Sequence, residues 1–211
     1  MLRKAAREAI LNRLEKTYKG TATALHYGSP FELLVAVILS AQCTDERVNK
    51  ITARIFPRLD TPAKMAALSQ EELELEIKDC GLYRAKARNL LGACRMLLEK
   101  FGGEIPSTIE ALMELPGVGK KTANVVANII YGVPAIAVDT HVFRVSHRLQ
   151  LSKGEDPLTT EKELEKIIPM DKWGEAHHWL IWHGRKICRA RNPLCQECML
   201  ADLCRFKEKH I

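Results

Sequence analysis

Lys120 and Lys121 follow directly on Pro116-Gly117-Val118-Gly119, and Asp139 stands eighteen residues beyond the second lysine. An amine can attack an electrophilic carbon and hold it as a Schiff base. A carboxylate can accept protons and stabilise positive charge that develops as a bond breaks. A free lysine at pH 7 is neutral only about once in 2,500 molecules, so a nucleophilic lysine needs surroundings that disfavour its charge. A second constellation lies near the end of the chain: Cys188, Cys195, Cys198 and Cys204 follow the pattern C-x6-C-x2-C-x5-C. Thiolates this crowded suit a soft or borderline metal, either one zinc or an iron–sulfur cluster. The paired C-x2-C knuckles of a zinc ribbon are missing and no histidine lies inside the pattern, so spacing leaves the metal open. The remaining cysteines, Cys43, Cys80 and Cys94, sit in apolar segments and read as core residues.

These groups need elements to hold them, and the start and stop signals are helical. Ser29-Pro30-Phe31-Glu32 reads as a capping box with proline at the first helical position, ahead of the apolar run 33–39. Thr61-Pro62 repeats the proline entry, and Ser69 with Glu72, Ser107 with Glu110 and Thr160 with Glu163 read as further capping boxes. Gly81, Gly102-Gly103 and Gly132 with Pro134 read as stops. The best strand candidate, Ala135–Val138, is four residues long. The expectation is an all-α protein of about ten short helices, with a domain seam near 132–138. Between the helix expected at 108–115 and the one opening at Lys120, Pro116 enforces a stop. Gly117 and Gly119 are free to take positive φ and to bare their amides. Amides at a helix N-terminus make an anion site, and a phosphate held there fixes position on a nucleic acid rather than reading sequence. Asp139 fits a helix N-cap as well as a chemical role.

The net charge is +6, and it is uneven. Arg3, Lys4, Arg7, Arg13, Lys16 and Lys19 outweigh Glu8 and Glu15 at the start. The tail is basic again, with Arg185, Lys186, Arg189 and Arg191 among its residues, whereas 61–80 is acidic. Such a distribution suits a polyanion and also serves solubility. No segment is long and apolar enough to span a membrane and the first twenty residues lack a signal-peptide core, so an intracellular protein is expected.

Three stretches together resemble one family: LPGVGKKTA (115–123), VDTHVFRV (138–145) with Asp139, and the four-cysteine pattern. The chain resembles the endonuclease III family, the iron–sulfur type within the helix-hairpin-helix/Gly-Pro-Asp DNA glycosylase superfamily, from about residue 22 to 204. The resemblance implies two helical domains, 22–134 with the hairpin and 1–21 plus 135–211 with the cysteine loop, with DNA in the cleft between them and Lys121 facing Asp139. It implies a bifunctional glycosylase and abasic-site β-lyase that removes oxidised pyrimidines, with Lys121 and Asp139 catalytic. Lys121 separates this family from its adenine-mismatch relative, which lacks that lysine and carries a further domain. A [4Fe–4S] cluster on Cys188, Cys195, Cys198 and Cys204 is implied, with a structural role. Gly117, Val118, Gly119 and Lys120 would grip a phosphate, and Arg189 and Arg191 would touch others. Gln42, in LSAQCTD (39–45), would enter the gap left by an extruded base, and Leu82, in GLYRAKA (81–87), would wedge into the stack; Cys43 departs from the alanine that the family often has there. His141 matches a pocket histidine, whereas His177, His178 and His183, among Trp179 and Trp182, read as packing or surface residues. The implied partner is double-stranded DNA with a damaged pyrimidine or an abasic site. A monomer is implied, with no membrane partner and a cytoplasmic, nucleoid-associated location.

Overall fold

The structure is a computed structural model that describes residues 3–209. Among the described residues there are helices, turns and irregular segments but no strand. No helix among them is long and apolar enough to cross a membrane. The segment 135–138 is irregular and buried. It is apolar because it runs through a core, not because it pairs in a sheet.

The chain forms two compact units, one from Ala24–Val133 and one from the chain's two ends, up to Thr23 and from Pro134. The central unit holds α2 (Pro30–Ser40), α3 (Asp45–Ile55), α4 (Pro62–Ala66), α5 (Gln70–Glu76), α6 (Tyr83–Phe101), α7 (Ile109–Met113) and α8 (Lys120–Tyr131). Helix α2 is apolar on every side and is buried from Phe31 through Leu39 apart from Glu32, as expected of a helix enclosed by its neighbours. It packs on α3, α6 and α8, while α6 lies on α4 and α5. The other unit holds α1 (Lys4–Tyr18), α9 (Thr140–Arg148), α10 (Pro157–Glu165) and α11 (Trp173–Lys186). Ile10, Leu14 and Tyr18 form a stripe at four-residue spacing that carries α1 onto α11, and α9 packs on α11 through Val142 and Val145.

Most starts and stops match their sequence signals. Ser29, Thr61 and Ser69 are N-caps, and Ser69 with Glu72 forms the complete capping box. At Ser29 only half of it forms, because Glu32 accepts from the amide of Gly28 instead of that of Ser29. Gly102 and Gly132 end α6 and α8 in the left-handed conformation. Two caps differ from expectation. Thr108, not Ser107, accepts from Ala111 N and opens α7, a register that buries Leu112. Asp156, not Thr160, caps α10, because Pro157 takes the first helical position; Thr160 is buried inside the helix. Glu163 then turns back to accept from Ser152 Oγ, Lys153 N and Gly154 N.

Candidate active site and metal centre

The α7–α8 turn is built by two glycines that do different work. Gly117 has φ +81°, and a Cβ there would lie 2.8 Å from Asn89 Cβ on α6, so both backbone and packing require glycine. Gly119 is extended rather than left-handed, with φ −89° and ψ 176°, and a Cβ there would meet nothing within 4 Å. Its openness is what distinguishes it, since backbone can be approached closely from outside. As N-cap of α8 it offers no side chain to the first-turn amides, which have no acceptor within the helix. Val118 is buried, and its own amide donates to Leu115 O at 3.0 Å, so that amide is spent inside the turn. Lys120 and Lys121 open α8 and are exposed.

Asp139 is the N-cap of α9. Its Oδ1 accepts from the amides of His141 and Val142, each at 2.8 Å, and Oδ2 lies 3.1 Å from His141 Nδ1. Three contacts fix the orientation of a carboxylate whose side chain is 16% exposed. His141 is thus tied to Asp139 from the first turn of the same helix.

Gln42 and Leu82 share an unusual backbone. Both are exposed, Leu82 to 58%, and both have positive φ, +52° and +59°. For a residue with a side chain that conformation costs about 1–3 kcal/mol and clusters at functional sites. A Cβ on Gly81 would come 3.1 Å from Gln42 O, so the two segments touch. Leu82 is therefore no core leucine. Lys86, one turn into α6, is buried under both segments, a contact that sequence reasoning missed because a lysine on a helix reads as a solvated residue.

Cys188, Cys195, Cys198 and Cys204 line one hollow at the end of α11, together with Arg148, His183 and Phe206. Burial, and then the neighbouring cysteines, push the Cys198 thiol up, against the opposing pull of the Leu200 amide; burial also raises Cys204. Thiols held up in this way at Cys198 and Cys204, with two more cysteines beside them, suit a shared cation. A single zinc would need its sulfurs about 3.8 Å apart around one point. Among the described residues no three His, Cys, Asp or Glu side chains converge on such a point. Four cysteines lining one hollow can ligate an iron–sulfur cluster, so the residues present fit that group. Burial depresses His183 to about 4 and keeps it neutral; its Nδ1 is 3.2 Å from Tyr18 Oη and its Nε2 is 3.8 Å from Cys198 Sγ. His177, His178 and His183 are all buried, so none belongs to the surface.

Two arginines of α9, a turn apart, tie that helix to the cysteine loop. Arg144 donates to Cys188 O and Gly184 O, at 3.1 and 2.9 Å. Arg148 donates to Arg189 O and Ala190 O, at 2.6 and 3.1 Å, and stacks on Phe206. The loop backbone is thereby held while the side chains of Arg189 and Arg191 are exposed. The i, i+4 pair of arginines was visible in the sequence, but only the fold shows carbonyls opposite them.

Comparison with known proteins gives the same reading. Residues 35–170 match the HhH-GPD superfamily of base excision DNA repair proteins, and residues 188–204 match the iron-sulfur binding domain of endonuclease III. The chain is 50% identical over 208 residues to endonuclease III of Escherichia coli (strain K12), covering 99% of each. It is 49% identical over 208 residues to endonuclease III of Haemophilus influenzae (strain Rd), again covering 99% of each. Among solved structures, a trapped endonuclease III–DNA covalent intermediate superposes with a TM-score of 0.94 at 50% identity, over 97% of each chain. A thermostable thymine-DNA glycosylase shares the fold, with a TM-score of 0.86 at 24% identity over 96% of each chain. The chain belongs to the endonuclease III family within the HhH-GPD superfamily of base excision DNA repair proteins.

Proposed function

We propose that this protein is a bifunctional DNA glycosylase and abasic-site β-lyase of base excision repair, acting on oxidised pyrimidines in double-stranded DNA. The observation that carries the reading is Lys121: an exposed amine in the first turn of α8, beside an open glycine turn, in a chain half identical to an enzyme trapped in covalent union with DNA. Gly117 and Gly119 let a phosphate approach the first-turn amides, with Lys120 beside them. That contact positions the strand and leaves the choice of base to other groups.

Lys121 Nζ bonds to C1′ of the damaged nucleotide as the glycosidic C1′–N bond breaks, and the base departs with that electron pair and gains a proton. Asp139 accepts the proton that the lysine sheds and stabilises the positive charge on the sugar. The C1′–O4′ bond then breaks, O4′ leaving as a hydroxyl with the proton that Asp139 hands on, and the nitrogen lone pair forms the protonated imine. Loss of a C2′ proton then drives out the 3′ phosphate as the C3′–O bond breaks, and water hydrolyses the imine to free the lysine. Gln42 and Leu82 fill the space left by the extruded nucleotide, which offsets part of the few kcal/mol that extrusion costs. His141 orients Asp139, and Arg189 and Arg191 contact phosphates. Cys188, Cys195, Cys198 and Cys204 hold the [4Fe–4S] cluster, which when bound cross-links the loop that carries those arginines.

Product analysis on a thymine-glycol duplex tests this. Base release and a nick 3′ to the site should arise together; base release without a nick, or neither, would contradict it.

A further inference from the structure

We propose that Lys86 is a positioning residue for nucleotide extrusion: its side chain clamps the segments bearing Gln42 and Leu82 into one rigid plug. The proposal rests on the reading of those two residues as the groups that occupy the extruded nucleotide's place.

Lys86 is only 4% exposed, yet its partners are two carbonyls and a thiol rather than a carboxylate. Nζ donates to Leu39 O at 2.8 Å, to Ala41 O at 2.5 Å and to Cys80 Sγ at 3.1 Å, so three partners match its three donors. Cys80 Sγ in turn donates to Leu39 O at 3.3 Å. Leu39 and Ala41 lie at the C-terminal end of α2, where carbonyls lack helical partners and the last turn supplies no basic residue. The next residue is Gln42, with φ +52°. On the other side the backbone amide of Lys86 donates to Leu82 O at 3.0 Å, closing the turn that follows Leu82 and its φ of +59°. One residue therefore holds the chain immediately before Gln42 by its side chain and immediately after Leu82 by its backbone. Conformations this sparse persist only where the surroundings over-determine them.

Burying a lysine is a costly way to stabilise a helix pair, and an apolar residue of similar length would ordinarily serve stability as well or better. What the apolar residue lacks is donors for the carbonyls that fix Gln42. The same helix face then passes Asn89, against which Gly117 packs, and Gly92, where a Cβ would lie 3.1 Å from Pro116 Cγ. Helix α6 thus sets the plug and the hairpin turn in one register.

The test is a mutant cycle on the holoenzyme, read as single-turnover excision from a thymine-glycol duplex. Lys86→Met should slow excision about tenfold or more, since small misplacements of positioned groups cost that much. Lys86→Arg, which keeps donors for the carbonyls, should recover most of the rate. In the Gln42→Ala/Leu82→Ala background Lys86→Met should slow the reaction no further, because nothing remains to be positioned. Lys86→Gln passes through the same cycle and decides if Lys86→Met does not fold. An unchanged rate in the single variant, or the same slowing in both backgrounds, would overturn the proposal while leaving the repair activity standing. A parent protein that excises nothing overturns both.

Discussion

Asp139 caps α9 and, on the function proposed above, also serves the sugar. Substitution separates the two. Asparagine caps as well as aspartate does, so Asp139→Asn should keep stability within about 0.5 kcal/mol while excision falls about a hundredfold or more. Asp139→Ala should lose about 1 kcal/mol as well. Denaturant unfolding beside single-turnover kinetics distinguishes these outcomes, and an asparagine variant as active as the parent would remove Asp139 from the chemistry. His178 gives a second prediction at this scale. Burial, aided by Arg185, depresses it to about 4. It is neutral in the fold but takes up a proton when unfolded, below about pH 6.5. Its contribution to stability is therefore intact above that pH and is lost as pH falls toward 4, reaching about 2 kcal/mol by pH 5. Unfolding curves at pH 7 and 5 should differ less in His178→Gln than in the parent. Lys121, Asp139 and the four cysteines could be proposed from the sequence because their types and spacing carry the resemblance to the family. Lys86 could not, because whether a lysine is solvated or buried is decided here by Leu39 and Ala41, 47 and 45 positions away in the chain.

At the scale of elements, the α7–α8 turn separates packing from access. Gly117→Ala forces a left-handed alanine into the space of Asn89 and should cost about 1–3 kcal/mol of stability. Gly119→Ala meets no neighbour and no strained φ, so it should leave stability nearly unchanged while weakening binding to an abasic duplex. Melting curves and binding isotherms of the two variants check this; equal losses of stability would mean that the turn is only a packed corner. Helix existence was readable from caps and glycine stops, but cap identity was not always so. Ser107 and Thr108 are adjacent hydroxyls, and burial of Leu112 chooses between them. Thr160 with Glu163 fits the capping-box pattern by chance, whereas Asp156-Pro157 carries the stronger signal, since proline at the first helical position fixes the start.

At the scale of the whole molecule, each unit has its own core, α2 at the centre of one and α9 with α11 at the centre of the other. All four candidate cluster ligands belong to the second, and Cys188, Cys198 and Cys204 pack against its core. Removing iron should therefore lower hydrogen-exchange protection in residues 188–204, α9 and α11 while α2 keeps its protection. Uniform loss across both units, or none, would contradict a cluster that stabilises one unit. Local pattern shows only a seam near 132–138; the pairing of the N-terminal helix with the C-terminal half comes from the family resemblance, because the contacts that join them are encoded in no local pattern. The central claim, that Lys121 is the nucleophile, has a direct measurement in borohydride trapping on an abasic duplex. The parent protein should form a covalent adduct with the DNA, and Lys121→Gln should form none while still binding the duplex and melting like the parent. A trapped adduct that survives in Lys121→Gln at the parent's yield would contradict the account.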